Sequence, residues 1–500
     1  MKRILSILLF IILIVKLCIG QTSFEFGINT EDNCIVSKAA KDNAGNIVIV
    51  GIIGSITEHD YDAFILKVRP DGSYDSERFN RKDTISYFST IDVLSNGEYF
   101  ITGSYSIEGN YNERDRLWVV LLDSEFNLIS EKTFLVRQDY IGFTAMACTI
   151  IDNEENIVLA TGVIEEETKE KTNFIDFAFY KFDQQGDTLL SKYYHYIYDQ
   201  LPWELRQMPG SDNMMLIEQT TNIGGNNELL FLDPEFNILK VNYISNDIGI
   251  NGDLSSDYWV TDTSFLMSGF NSWYMESYHE YYLATYLVDT SAVIHQELVM
   301  NRNDTTDYTA WRKSMAYAND STIYIGGFQI YMGFWITDPT IVELYVIDKN
   351  MNLLGYKELG GDANYELWGI IATDDDGCLL YGTRYDNPDV HQRDVHIWKV
   401  LRKDIDITTR ITEITEASSK VKMYPNPVMD ELNIHLPFDN SQTNVVVSIS
   451  TLEGKTIFHK KITGQGNMVS LDVRNLQNGL YVLNVIDNQT LLYSEKIIKN

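Results

Sequence analysis

Short apolar segments alternate with turns rich in Asp, Asn and Gly along most of the chain, and the alternation is periodic. One marker is such a turn followed by an apolar segment that usually ends in Gly, as in Asp42 to Gly51. The segments are short and rich in β-branched residues, and they lack helical periodicity, so they predict β-strands. Seven copies of this marker occur, at residues 42–51, 95–103, 152–162, 210–217, 262–269, 319–326 and 375–382.

A second marker follows each copy of the first, an apolar segment that usually closes on Asp before another turn. From Gly51 to Gly382 the chain runs 331 residues over six intervals, which gives a period of about 55 residues. Self-similarity at a period of this size predicts a repeat architecture. The copies of the second marker lie at residues 63–68, 118–123, 177–183, 229–233, 283–289, 344–348 and 396–401.

Each unit holds about four strands, which is the content of one β-propeller blade, and the period is similar to that of kelch-type repeats. A single four-stranded sheet cannot bury both of its apolar faces, whereas packing against neighbours in a ring buries both and leaves only short edges. The sequence therefore predicts an all-β fold in which residues 21–410 form a seven-bladed β-propeller.

The start of this region resembles a fourth strand without a unit of its own. Residues 22–26 precede the first strand of the first unit, at about residue 34. We expect this segment to complete the seventh blade by pairing near residue 395, a contact between distant parts of the chain.

Two segments lie outside the period. Residues 4–15 form an apolar run behind Lys2 and Arg3, too short to span a bilayer comfortably, so residues 1–20 predict a signal peptide cleaved before Gln21. Lipidation at Cys18 is the less favoured alternative, because Lys16 and Leu17 match that site poorly. Residues 411–420 are polar and lose the period, so they predict a linker.

Residues 421–500 differ from the repeat. Pro425 and Pro427 cannot lie inside a regular strand, because proline lacks a backbone donor and restricts its predecessor. Short apolar or alternating stretches follow, separated by Gly, Asn and Asp turns. This pattern predicts a small Ig-like β-sandwich of about seven strands.

The order of motifs in this segment resembles the type A C-terminal sorting domain of the type IX secretion system, the outer-membrane export route of Bacteroidetes. The resemblance implies that the export machinery binds the tail, and that the protein is secreted or held at the cell surface after a Sec signal peptide. It implies that the tail is removed on release or attachment. The motif residues are Tyr424, Pro425, Asn426, Pro427, Gly454, Lys455, Gly479 and Tyr481.

Charge and cysteine content narrow the function. Residues 21–420 carry 29 Lys and Arg against 64 Asp and Glu, whereas residues 421–500 carry seven of each. An acidic body repels nucleic acid and favours solubility, with affinity for cations such as Ca²⁺ as the alternative. Removal of the predicted signal peptide leaves three cysteines, Cys34, Cys148 and Cys378, and their separate positions argue against a disulfide framework or a thiolate zinc site. A transmembrane segment is not expected in the mature chain, because no later apolar run approaches about 18 residues.

The chain contains no HExxH, GxSxG, Walker A or strand-linked GxGxxG motif. His391 and His396 are expected to point to opposite faces of a strand, which argues against a shared metal. Residues 374–377 resemble a Ca²⁺ loop in composition, but a solvated turn is the favoured interpretation. No cofactor is therefore predicted.

Aromatic residues cluster after the second strands of units five and six. Trp273, Tyr274, Tyr278 and Trp335 could stack on sugar rings or anchor a protein, although filling the gaps between blades is the favoured interpretation. The leading hypothesis is an exported, non-enzymatic binding or scaffold protein with a glycan or protein ligand. The alternative is a secreted polysaccharide hydrolase or lyase with acidic residues at the propeller mouth.

Overall fold

The computed structural model describes residues 22–55, 60–80, 84–107, 115–165, 175–195, 199–220, 226–244, 250–275, 278–300, 306–330, 338–387, 392–405, 422–435, 445–451, 456–461, 468–487 and 490–499. The chain divides into two compact units, Met1–Thr408 and Thr409–Asn500. The predicted signal peptide and linker lie outside the described residues. No helix in the described ranges has the length and apolar character to cross a membrane.

The first unit is a seven-bladed β-propeller, as the sequence predicts. Its described strands form seven antiparallel sheets. Blade 1 contains β2 (Asn33–Lys41), β3 (Ile47–Ser55), β4 (Asp60–Val68) and β5 (Tyr74–Phe79), and blade 2 contains β6 (Thr84–Val93), β7 (Tyr99–Ile107), β8 (Arg116–Leu122) and β9 (Leu128–Leu135). Blade 3 contains β10 (Tyr140–Ile151), β11 (Ile157–Glu165), β12 (Ile175–Phe182) and β13 (Thr188–Tyr194). Blade 4 contains β14 (Gln200–Gln207), β15 (Met214–Thr220), β16 (Asn226–Leu232) and β17 (Ile238–Ile244).

Blades 5 and 6 repeat this order, and in blade 6 the innermost strand is split in two. Blade 5 contains β18 (Ile250–Thr261), β19 (Ser264–Met275), β20 (Tyr278–Asp289) and β21 (Ile294–Val299). Blade 6 contains β22 (Thr306–Thr309) and β23 (Met315–Asn319), which are the two parts of its innermost strand, and β24 (Thr322–Ile330), β25 (Ile341–Ile347) and β26 (Leu353–Gly360). Blade 7 contains β27 (Asn364–Thr373), β28 (Gly377–Asn387) and β29 (Gln392–Leu401), followed by a short 3₁₀ turn at Arg402–Asp404.

The fourth strand of blade 7 comes from the start of the chain. Strand β1 (Phe24–Ile28) pairs antiparallel with β29, from Phe24 opposite Lys399 to Ile28 opposite Val395. The expected closure near residue 395 is confirmed, and the ring is thereby completed.

Each junction between neighbouring blades holds its own apolar core. Seven buried clusters occur among the described residues of this unit, and each joins two adjacent blades. The cluster between blades 7 and 1 packs Val36 and Ile49 against Leu379 and Ile397. The closing junction is therefore packed in the same way as the internal ones.

An acidic residue at or just before the start of the third strand recurs around the ring. Asp394 accepts from Thr30 in the segment between β1 and β2, and Asp176 accepts from the Tyr140 hydroxyl at the start of β10. These contacts satisfy polar groups where chain segments meet. The described members of this set are Asp62, Asp115, Asp176, Glu228, Glu343 and Asp394.

The second unit contains two small sheets around one apolar core, the β-sandwich expected from the sequence. Three strands form one sheet, β30 (Lys422–Tyr424), β31 (Glu431–His435) and β34 (Met468–Asp472). Four strands form the other, β32 (Val445–Thr451), β33 (Thr456–Lys461), β35 (Gly479–Asp487) and β36 (Thr490–Lys499).

Candidate functional site

The innermost strand of every blade is irregular near its middle. Register shifts interrupt β2 between Val36 and Ala39 and β6 between Phe88 and Thr90, and similar shifts occur in β10, β14, β18 and β27. In blade 6 the break between β22 and β23 takes the same place. Bulges of this kind re-aim side chains. Here they turn residues of several blades towards the centre of the ring.

The Gly that ends the first sequence marker lies opposite these bulges. A Cβ on Gly51 would lie 2.1 Å from the Ile35 carbonyl oxygen, and one on Gly103 would lie 2.0 Å from that of Tyr87. Only glycine permits the first strand to approach so closely. The repeated Gly is therefore the sequence signal that marks where side chains turn inward.

Charged side chains, one tryptophan and one methionine in or near these irregular segments form a set that we call the axial ring. Sequence reasoning missed these residues, since they are spread over all seven units without a local motif. The axial ring comprises Lys38, Asp92, Met146, Glu204, Arg206, Asp257, Arg312, Lys313 and Trp368.

One ion pair joins blades 5 and 6 in the axial ring. Lys313 Nζ lies 3.2 Å from Asp257 Oδ1, and the Tyr317 amide donates to Asp257 Oδ2 at 2.9 Å. Burial raises the pKa of Asp257, but Lys313 and the Tyr317 amide outweigh it and hold the value below its usual range. The two side chains keep 31% and 27% of their surface exposed, so the pair remains accessible to solvent.

The Glu204 carboxylate influences groups on several blades. It contributes to the pKa of Asp92 in blade 2, of Arg206 in its own blade and of Lys313 in blade 6. A carboxylate that reaches both sides of a ring lies near its axis. Burial lowers the pKa of Arg206, whose guanidinium donates to Ser256 Oγ at 2.6 Å.

Asp92 differs from the other axial carboxylates. Burial raises its pKa, and the effect of the nearby Glu204 adds to this, while Thr149 and Lys38 act in the opposite direction. A raised pKa favours the protonated carboxyl group, which can donate a hydrogen bond.

Blade 7 holds the two cations of blade 6 in place. The Arg312 amide donates to the Trp368 carbonyl at 2.9 Å, and the Ile370 amide donates to the Lys313 carbonyl at 3.0 Å. Arg312 Cζ lies 5.8 Å from the Trp368 ring centroid, and the guanidinium contacts the Met146 thioether of blade 3. Since blades 3 and 6 lie apart in the ring, Arg312 extends across its centre.

A group of possible metal ligands lies in blade 3. His195 Nδ1 is 2.9 Å from Glu165 Oε1 and 3.0 Å from Asp176 Oδ2. The three ligand atoms lie within 4.8 Å of one another. A histidine-based metal site was not favoured by the sequence, because the histidines are scattered along the chain.

The predicted aromatic residues fall at the β19–β20 hairpin of blade 5. Trp273 and Tyr274 lie near the end of β19, and Tyr278 begins β20. Trp335 lies outside the described residues. The neighbouring Tyr281 packs against Phe270 and Tyr308 at centroid distances of 4.9 and 5.2 Å, so this ring contributes to the junction of blades 5 and 6.

The acidic turn in blade 7 is engaged by lysines. Asp374 pairs with Lys41 and Asp375 with Lys399, each at 2.5 Å. His396 Nε2 lies 2.9 Å from Glu25 Oε1, and burial lowers the histidine pKa despite this carboxylate.

One of the predicted sorting residues, Asn426, bonds to the last strand of the second unit. Asn426 Nδ2 donates to the Lys496 carbonyl at 2.8 Å, and the Ile498 amide donates to Asn426 Oδ1 at 2.9 Å. The Asn426 side chain thus donates to one backbone group of β36 and accepts from another, as a paired strand would, and it holds the Tyr424–Pro427 segment against β36.

The other sorting residues lie elsewhere in the unit. Gly479 begins β35, and the Tyr481 hydroxyl donates to the Gln477 carbonyl at 2.8 Å. Gly454 and Lys455 lie outside the described residues.

This unit is a sorting domain. Residues 422–500 match the family model of the secretion system C-terminal sorting domain, which confirms the resemblance to the type IX tail. The sorting domain indicates a secreted or outer-membrane-associated protein, and its body is a propeller. No curated protein matches the sequence.

Solved structures similar to the chain include several propellers. The β-propeller domain of the Trilobed protease from Pyrococcus furiosus is 11% identical, with 78% of this chain and 99% of that one covered at a TM-score of 0.39. A protein of unknown function from Dyadobacter fermentans is 9% identical, covers 76% and 98%, and has a TM-score of 0.42. The NanB sialidase from Streptococcus pneumoniae is 9% identical, with 77% of this chain and 94% of that one covered at a TM-score of 0.43. These similarities carry no argument about function.

Proposed function

We propose that the protein works outside the cell as a non-enzymatic binding or scaffold module, and that its axial ring holds a ligand with an anionic group. The observation that carries this proposal is the charge of the ring. Lys38, Arg206, Arg312 and Lys313 provide four cations against the carboxylates of Asp92, Glu204 and Asp257. Protonation of Asp92 would increase the positive excess.

This positive centre stands within an acidic body. The surrounding negative field would repel a polyanion along most of the surface, so only a ligand that places an anionic group at the axis gains from the ring. A carboxylate or sulfate on a glycan, or an acidic side chain on a cell-surface protein, meets this requirement.

The test is a binding screen of the full chain against glycans and cell-surface proteins, followed by calorimetry of the best ligand. Arg206→Gln and Lys313→Gln should each weaken binding about tenfold or more, because a charge-assisted hydrogen bond is worth about 1.5–3 kcal/mol. Lys349→Gln is the control, since Lys349 pairs with Asp320 and is 44% exposed. Equal affinity in all three variants would contradict axial binding.

The aromatic residues Trp273, Tyr274, Tyr278 and Trp335 remain a predicted second contact surface. If they stack on a glycan, alanine at Trp273 or Trp335 should weaken glycan binding while leaving binding of a small anion at the axis unchanged. Unchanged glycan affinity in both variants would remove this surface from the proposal.

A polysaccharide hydrolase or lyase is the second candidate, and the proximity of the Asp92 and Glu204 carboxylates in the axial ring favours it. A glycosidase needs one protonated and one ionised carboxyl group. Product formation from acidic polysaccharides that is lost in Asp92→Asn would establish this function. The absence of products alongside stoichiometric binding supports the binding module.

A further inference from the structure

We propose that Glu165, Asp176 and His195 bind one divalent transition-metal ion, of the Zn²⁺ or Mn²⁺ class, at the outer edge of blade 3. Glu165 ends β11, Asp176 lies in β12, and His195 directly follows the outermost strand β13. The fold thus brings three dispersed residues to one point. Glu165 Oε1 and Asp176 Oδ2 lie 2.9 and 3.0 Å from His195 Nδ1, close to the spacing between ligand atoms around a single small cation.

The chemistry of the cluster suits a divalent cation. Two carboxylates and one imidazole nitrogen meet at this point, and they are the ligand types that such a cation takes. Asp199 adds further negative charge nearby, since its Oδ1 accepts from the Ile175 amide beside Asp176. The nearby Arg137 is already bound to Asp139 through two hydrogen bonds.

The residues around the cluster orient its ligand atoms as the outer partners in metal sites do. Asp176 is fully buried, and the Tyr140 hydroxyl donates to its Oδ2 at 2.8 Å, which fixes the carboxylate as outer partners do in metal sites. His195 keeps 46% of its side chain exposed, so water or a ligand group can complete the coordination. An imidazole among the donors favours Zn²⁺ over Ca²⁺ and Mg²⁺, which prefer oxygen ligands, while the two carboxylates also suit Mn²⁺.

A bound metal would join β11, β12 and the segment after β13. Because an ion that binds only the folded state stabilises it, the thermal midpoint of the full chain should rise with metal concentration.

The experiment uses the full chain without an affinity tag, stripped with chelator. Zn²⁺ is titrated by calorimetry, and Co²⁺ is used as a spectroscopic probe. We expect one ion per chain and visible Co²⁺ absorption bands, with affinity at least tenfold weaker in His195→Gln. His295→Gln is the matched control, because His295 is also exposed and lies in the outermost strand of blade 5, yet it contacts the single carboxylate of Asp289 at 2.8 Å.

The outcome separates a metal site from a structural ion cluster. Binding that survives in His295→Gln and falls in both His195→Gln and Glu165→Gln supports the site, with folding verified by circular dichroism. No stoichiometric ion in the parent chain, or equal affinity in the two histidine variants, would overturn it.

Discussion

At the scale of single residues, one buried ion pair offers a sharp test of packing. Lys399 and Asp375 are 2% and 5% exposed, and they border a cavity of about 120 Å³ between blades 7 and 1. Removing one partner leaves the other charge buried and unpaired, so Asp375→Ala should reduce the free energy of unfolding by about 3–5 kcal/mol. Urea denaturation measures this loss.

Asp374 provides the control for that experiment. It pairs with Lys41, but the two side chains are 68% and 35% exposed, and exposed pairs contribute about 0–1 kcal/mol. Asp374→Ala should therefore be nearly neutral, and the double variant Asp375→Leu/Lys399→Met should recover much of the loss. Equal losses in Asp374→Ala and Asp375→Ala would show that burial does not govern these pairs.

Single residues were the hardest feature to predict from the sequence. The turn interpretation of residues 374–377 rests on local composition, whereas the lysine partners of Asp374 and Asp375 come from distant parts of the sequence. The axial ring and the His195 cluster are different, since Glu204 and Lys313, or Glu165 and His195, meet only through the three-dimensional arrangement of the blades. Their charges are indistinguishable in sequence from solvated surface groups.

At the scale of elements, the hairpin turns depend on one Asp each. In the turn after β16, Asp233 Oδ1 accepts from the amides of Glu235 and Asn237, while Phe236 adopts a positive φ of 62°. The same arrangement occurs at Asp348, and hydrogen bonds with the following Asn hold the pKa of both carboxyls below the usual value against the effect of burial. These turns thus contribute stability above about pH 4 that is lost as the pH falls through the lowered pKa.

Asp115 acts in the opposite direction. Burial raises its pKa to about 6, so the folded state binds this proton more tightly than the unfolded state, and stability increases as pH falls from about 7 towards 4. The urea midpoint should therefore pass through a maximum near pH 5. In Asp115→Asn the rise between pH 7 and pH 5 should shrink, and an unchanged profile would contradict this assignment.

Strand positions were predictable because alternating polarity and turn chemistry are local. The bulges were not predicted, since a bulge depends on how the first strand lies against the second. The Gly at the end of each marker was visible in the sequence, but its meaning depends on the close approach of Ile35 to Gly51 in the folded blade.

At the scale of the whole molecule, we expect the C-terminal sorting unit to direct export of the chain. Deletion of residues 422–500 should abolish release to the outside and leave the body in the periplasm. Asn426→Ala should reduce export partially, because it removes both hydrogen bonds to β36. Cell fractionation measures both effects. An undiminished external body after deletion would indicate that the tail is a generic adhesion module.

Ring closure was predictable because the start of the chain supplies a strand that its own repeat cannot use. The number of blades followed from the count of repeats. The contents of the centre did not, because they depend on which side chains the bulges turn inward.

The most direct test of the account is a cross-link between the ends of the propeller. Ile28 and Val395 face each other in the β1–β29 pair, so cysteines at both positions should form an intramolecular disulfide. The native Cys34, Cys148 and Cys378 are buried, which raises their thiol pKa values and limits interference. An Ile28→Cys/Val395→Cys chain that closes in high yield, with little closure in the out-of-register Ile28→Cys/Ile397→Cys chain, confirms the ring. Absence of the in-register bond, or dimers in its place, would contradict it.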